Sequence, residues 1–417
     1  MSKCNLNYKR TKFACYSAYF TMSTIFCVPP LLFVTFREEF GISYTLLGTL
    51  VLTNFCTQLA VDLIFTFFSK YFNTKRVVKT MPLLTSLGLM VYALIPTFFS
   101  KYAYFGLLIG TVLFSVSAGL SEVLLSPTIA AIPSDNPQRD MSTLHSLYAF
   151  GVFTMVVIST LFLKIFGNDN WAYLIIFLAL LPIISSVLFA FSPMPNALKS
   201  QGIGGLTATR SSLKGIALCA FCIFFGSCAE NVMSNWISSY IENALQIDKA
   251  LGDVLGVAGF AVLLGIARIT YAKIGKNIIG ILLVGMIGAS VCYLVASLIF
   301  NTFLSFIACV LTGLFTAMLW PGTLIMMEEK VPGVGVAAYA LMASSGDLGA
   351  AIAPQLTGLV VDGVSASSFA TSLSQKMGVS VEQIGLRAGM LVNCIFPILG
   401  AVTVVIAIKY FKKTVQR

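Results

Sequence analysis

Apolar stretches of about 20 residues recur from one end of the chain to the other, separated by short polar segments. They do not alternate apolar and polar positions as the strands of a membrane barrel would. A run of that length crosses the hydrocarbon core as a helix, which satisfies its own backbone groups. The pattern predicts twelve spans, at 13–36, 44–69, 77–99, 103–132, 141–166, 171–191, 213–241, 250–273, 278–299, 303–327, 336–361 and 386–411. Pro29-Pro30 should bend the first. That first run is too long for a cleavable signal peptide and lacks a small-residue cleavage site. A polar segment with Pro193, Pro195, Gly202, Gly204 and Gly205 reads as a linker. The expected organisation is therefore all-α: a six-helix bundle at 1–191, a cytoplasmic linker at 192–212 and a second six-helix bundle at 213–417.

Composition supports this reading. The 417 residues are 58% hydrophobic and 10% charged, against roughly 25% charged in soluble domains. The net charge of +10 does not point to nucleic acid, because the basic residues lie in short segments between spans. With the N-terminus inside, 20 of the 26 Lys and Arg fall in inner segments and six in outer ones. This asymmetry puts both termini in the cytoplasm and predicts a multi-pass protein of the plasma (inner) membrane, expected as a monomer in the lipid bilayer.

Little in the chain suggests covalent chemistry. The ten cysteines lie mostly within apolar runs, and Cys219 and Cys222 are at helical spacing with no second pair. They read as small packing residues, so no metal or cofactor is expected. No phosphate-binding loop occurs, which argues against ATP drive, and no nucleophile–base pair suggests an enzyme.

Candidate chemistry lies in the polar residues of the spans. A carboxyl at bilayer depth costs about 2.5–3.5 kcal/mol on insertion scales, so it faces protein or water and marks function. Four acids fall in this class: Asp62, Glu122, Glu230 and Asp347. Asp62, near the basic segment 70–79, reads as a gate-closing partner for Lys or Arg. Glu122 is deeper and suits a group that takes and releases a proton; the plain alternative is a structural hydrogen bond. His145, the single histidine, shares a helix face with Ser142 and Tyr148. It is either part of a pocket with Glu122, in proton coupling, or a capping residue.

The seventh span carries Glu230, Asn231, Asn235 and Trp236. Amides bond hydroxyls in both directions, and an indole offers an apolar face with one donor, a set that suits a sugar. The alternative for Trp236 is a place in the interfacial aromatic belt. Trp320, beside Pro321, is a second stacking surface, and Asp347 either lines the pocket or pairs with a basic residue. Arg268, at the expected cytoplasmic end of the eighth span, reads as a gating or snorkelling charge.

The halves echo each other: Gly119 precedes Pro127 by eight residues, and Gly313 precedes Pro321 by eight. A parallel duplication around a central linker is the layout of the major facilitator fold, and the whole chain resembles that superfamily. The stretch GLSEVLLSP, with Arg139 and LHSLYAFG downstream, resembles the branch of fucose–galactose–glucose:proton symporters. AENVMSNWISSYI is similar to a glutamate-containing segment of related bacterial sugar permeases. The resemblance implies proton coupling and sugar contact at Glu122. It departs from the branch in the first span, which offers hydroxyls such as Tyr16, Ser17 and Tyr19 but no acid. The expected function is secondary active transport of a small hydrophilic solute, a monosaccharide, by proton symport. The alternative is proton-driven efflux of lipophilic compounds, which 33 Phe and 15 Met keep open.

Overall fold

The structure, a computed structural model, describes residues 8–68, 71–135, 137–195, 210–274, 277–331 and 336–415. Its helices are α1 (Lys9–Leu31), α2 (Phe33–Phe40), α3 (Tyr44–Phe68), α4 (Thr74–Phe98), α5 (Ala103–Ala130), α6 (Pro137–Phe166) and α7 (Trp171–Ala190). There follow α8 (Arg210–Ser239), α9 (Lys249–Leu251), α10 (Ala258–Ile274), α11 (Ile278–Leu298), α12 (Thr302–Thr316) and α13 (Leu319–Lys330). The last are α14 (Val336–Ser365), α15 (Ser368–Met377), α16 (Val381–Asn393) and α17 (Ile395–Val415). Wide π-turns at Tyr240–Ala244 and Gly252–Val257 extend α8 and precede α10.

Ten of these spans are long and apolar enough to cross a membrane, and the α1–α2 pair makes an eleventh. Phe150–Phe166 of α6 is a shorter apolar stretch among the described residues. This is the all-α polytopic membrane fold that the hydropathy predicts. Exposed side chains such as Phe177, Ile184, Val284, Val291 and Val402 form the lipid-facing surface that such helices require. Pro29 and Pro30 remove two backbone donors, and the first span breaks at Leu32 with a bend of 49°. Hydropathy does not reveal α15, a short helix capped by Ser367 and ended by Gly378 at φ 66°.

The chain forms two compact units. The first takes Met1–Thr35 and Thr57–Gly202; the second takes Phe36–Cys56 and Ile203–Arg417. The start of the second span thus belongs with the helices of the C-terminal half.

In the first unit, small residues let backbones approach. A Cβ on Gly88 of α4 would meet the Phe114 nitrogen of α5 at 2.6 Å, and one on Gly110 would meet Tyr92 Cβ at 2.7 Å. Hydroxyls stitch the same helices: Thr85 Oγ1 bonds Ser117 Oγ at 2.7 Å, and Ser86 donates to the Ala179 carbonyl of α7 at 2.7 Å. Such interhelical bonds contribute about 0.6 kcal/mol each on average. At one end, Lys12 of α1 pairs with Asp140 of α6, and Ser134 also donates to Asp140 at 2.5 Å.

In the second unit, the N-terminus of α3 is fully capped. Its first amides have no carbonyl within the helix. Tyr44 and Thr45 donate theirs to Asp362 of α14 at 3.2 and 2.6 Å, and Leu46 donates to Ser43 Oγ at 3.3 Å. The Tyr44 hydroxyl donates to Glu382 at 2.5 Å, and Arg37 pairs with the same carboxylate at 3.0 Å. Segment Phe36–Cys56 is therefore held by two acids of the C-terminal half. On α16, Arg387 is buried and donates to the carbonyls of Ala296 and Ile299 at 3.1 and 2.8 Å, closing the end of α11 with a cation.

Candidate functional site

In the first unit the site is built on α5. Gly119 lets α5 settle against α3, where a Cβ would meet Val61 at 3.0 Å. Ser121, next along, turns back to bond the Ser117 carbonyl at 2.8 Å. Glu122 points the other way: it lies deep in the protein, yet its side chain is solvent-accessible. Among the described residues it has no ion pair and no hydrogen bond. Its charge is felt at Tyr19 of α1, which is buried. Tyr148 of α6 packs edge-on against Tyr19 and Phe26, with ring centroids 6.3 and 5.8 Å apart. Gly151, one turn on, allows this by leaving no side chain between α6 and Ser23 of α1. An accessible carboxyl, a phenol near its charge and an edge-on aromatic cluster thus share this unit. The His145 and Ser142 side chains lie outside the described residues. Asp62 is partly buried, six residues before the end of α3.

In the second unit the centre is Glu230 of α8. Arg268 Nη2 donates to its Oε1 at 3.3 Å, and Arg268 Nε donates to the Ala317 carbonyl at 2.9 Å. That carbonyl is free for a covalent reason. In an unbroken helix it would accept from residue 321, but residue 321 is proline and has no donor. The span breaks there into α12 and α13. The pair is only partly covered, with side-chain exposures of 38% for Arg268 and 21% for Glu230. Arg268 is therefore a partner of the membrane acid, which its expected place at a span terminus does not suggest. A signal was available in the sequence: a proline-freed carbonyl and a buried acid both call for a cation.

The other predicted residues divide. Asn231 is partly exposed and donates to Ser227 at 3.1 Å. Trp320 is partly exposed, with its ring across Gly346, where no Cβ fits. Asn235 and Asp347 are buried, and Asn235 donates to the Asn231 carbonyl at 2.8 Å. Trp236 is a correction. It is fully buried, its indole donates to the Pro354 carbonyl at 3.1 Å, and its ring packs 5.5 Å from that of Tyr44. It is neither an interfacial belt residue nor an open stacking face. The described cysteines are free thiols, and no group of three or more metal-ligating side chains occurs among the described residues.

The profile of the Major Facilitator Superfamily matches residues 13–354. The chain belongs to this superfamily. A search of curated proteins finds no match. Among solved structures, the chain is similar to a D-xylose–proton symporter, with TM-score 0.72 and 13% identity over 93% of this chain and 96% of that one. It is similar to the POT family transporter PepTSo at TM-score 0.71 and 14% identity, covering 97% and 99% of the two chains. The fucose:proton symporter of E. coli matches at TM-score 0.60 and 13% identity, over 96% and 99%. At these identities the likeness shows the fold. Fold and family are those of integral membrane transporters; the fucose symporter is one of several similar structures.

Proposed function

We propose that the chain is a proton-coupled symporter for a small hydrophilic solute, a monosaccharide, working by alternating access with both termini in the cytoplasm. One observation carries the reading: Glu122 is deep in a membrane helix, accessible, and without an ion pair among the described residues. An intramembrane acid placed so can exchange a proton with water, whereas an acid held by a cation cannot do so cheaply. His145, 23 residues on, is proposed to share the proton.

Tyr148, Glu230, Asn231, Arg268 and Trp320 are each proposed as solute-contacting residues. These groups accept and donate toward hydroxyls and offer aromatic faces to a sugar ring. Asn235 and Asp347, being buried, enter as supporting groups, and Trp236 is withdrawn from the set. Arg268 moves from gating to solute contact, while Asp62 keeps its proposed gating role. The D-xylose–proton and fucose:proton symporters among the similar structures support the choice of solute and ion.

The test is uptake by proteoliposomes under an inward proton gradient, with labelled hexoses, pentoses, a nucleoside, a dipeptide and a lipophilic cation. Gradient-driven accumulation of a sugar is expected. Accumulation of the nucleoside or dipeptide alone would overturn the sugar assignment, and counter-directed movement of the cation would overturn symport.

A further inference from the structure

A further carboxylate lies within the spans of the C-terminal unit, apart from Glu230 and Asp347. Asp253 sits on the π-turn Gly252–Val257, facing the π-turn Tyr240–Ala244 that ends α8. A π-turn adds one residue to a helical turn and recurs at functional sites. Here two of them pack together through glycine: a Cβ on Gly252 would meet Ile241 Cγ2 at 2.6 Å, and Gly256 likewise leaves no room beside Ile241. The loop between is short and tied, with the Leu245 amide bonded to Tyr240 at 3.1 Å and the Ile247 amide to Ile241 at 3.2 Å.

Asp253 is 1% exposed. Its Oδ1 accepts from Ser238 at 2.5 Å. Its Oδ2 is buried and has no hydrogen-bond donor. The nearest cation, Lys249 Nζ, is 4.0 Å away and is committed to Glu242 at 3.1 Å. The charges around the group are few. The π-turn that ends α8 brings Glu242, and its own segment brings Lys249 and Asp248; Ser238 of α8 adds only a neutral hydroxyl. Asp248 is exposed and already caps α9 through the Leu251 amide at 3.1 Å. The packed face of α12 carries no charged side chain, and its one titratable group is Cys309. The buried Asp253 and the half-buried Glu242 therefore share one ammonium, and one oxygen of Asp253 is left buried without a donor. An ionised oxygen in that position is strongly disfavoured.

We propose that Asp253 is a proton-binding site, distinct from Glu122, at the end of the C-terminal unit that the charge asymmetry assigns to the exterior. The proton comes from bulk water and adds to Oδ2, and the Glu242–Lys249–Asp253 cluster passes from one net negative charge to none. Lys249 then stays with Glu242, and Ser238 stays on Oδ1. The site does not depend on the role proposed for Glu122, since the two carboxyls belong to different units.

Infrared difference spectra between acid and neutral pH, taken on the full chain in lipid nanodiscs, test this. A carboxylic-acid carbonyl band is expected that is lost in Asp253→Asn and kept in Glu122→Gln. Ser238→Ala should move that band to higher frequency, because the hydrogen bond on Oδ1 is gone; this variant serves if Asp253→Asn fails to fold. A band that survives in Asp253→Asn, or one unmoved in Ser238→Ala, overturns the proposal. Loss of gradient-driven transport in Glu122→Gln with this band intact would separate the two sites.

Discussion

Arg268 holds the Glu230 carboxylate with one nitrogen and the Ala317 carbonyl with another, at 3.3 and 2.9 Å. The second bond exists because Pro321 cannot donate to that carbonyl. A break in one helix thus fixes a cation on a second, which in turn orients an acid on a third. Arginine suits this: its rigid fork aims two nitrogens at two separate acceptors, whereas lysine gathers its donors on one.

A double-mutant cycle with Arg268→Ala and Glu230→Gln should give a coupling of about 1 kcal/mol in thermal unfolding, modest because both side chains are partly exposed. Arg268→Lys should behave as Arg268→Ala at the Ala317 carbonyl. Additive effects in the cycle would remove Arg268 as the partner of Glu230.

Asp362 caps the first two amides of α3 from α14. Asp362→Ala should cost about 1 kcal/mol locally, the usual value of a lost cap. Amide exchange at Tyr44 and Thr45 should then quicken about fivefold, with little change at the middle of α3. Unchanged exchange at both amides would mean that water replaces the carboxylate.

Lys12 and Ser134 hydrogen-bond Asp140 and hold its carboxyl below the ordinary range, with the Lys12 charge acting in the same direction. A lowered folded-state value stabilises above the unfolded value of about 3.9 and is lost as pH falls through the folded one. Lys12→Met should therefore lower the melting temperature by about 1–2 °C at neutral pH. The gap to wild type should close below about pH 4. A gap that persists at acid pH would show that the lysine stem, not its charge, stabilises.

The sequence reading succeeds where the cause is local. Hydropathy places the spans because lipid contact depends on each helix alone, and Pro29-Pro30 announces the bend at Leu32. It falters where the cause is a distant partner. Trp236 looks like a ligand surface until Pro354, 118 residues away, takes its N–H. Arg268 looks like a terminal charge until Glu230, 38 residues away, proves to be its acid. Asp253 falls at the start of the eighth predicted span and nothing in the hydropathy singles it out, because the π-turn that buries it leaves no periodic trace. The same holds for Phe36–Cys56, which follows the first span in sequence but joins the second unit through Glu382 and Asp362.

Glu122 is proposed to couple transport to protons. The most direct measurement compares wild type and Glu122→Gln in proteoliposomes, once for sugar accumulation under an inward proton gradient and once for sugar exchange without one. The account predicts that Glu122→Gln loses accumulation while retaining exchange, because the amide can still bind solute but cannot carry a proton. Undiminished gradient-driven accumulation in Glu122→Gln would contradict it.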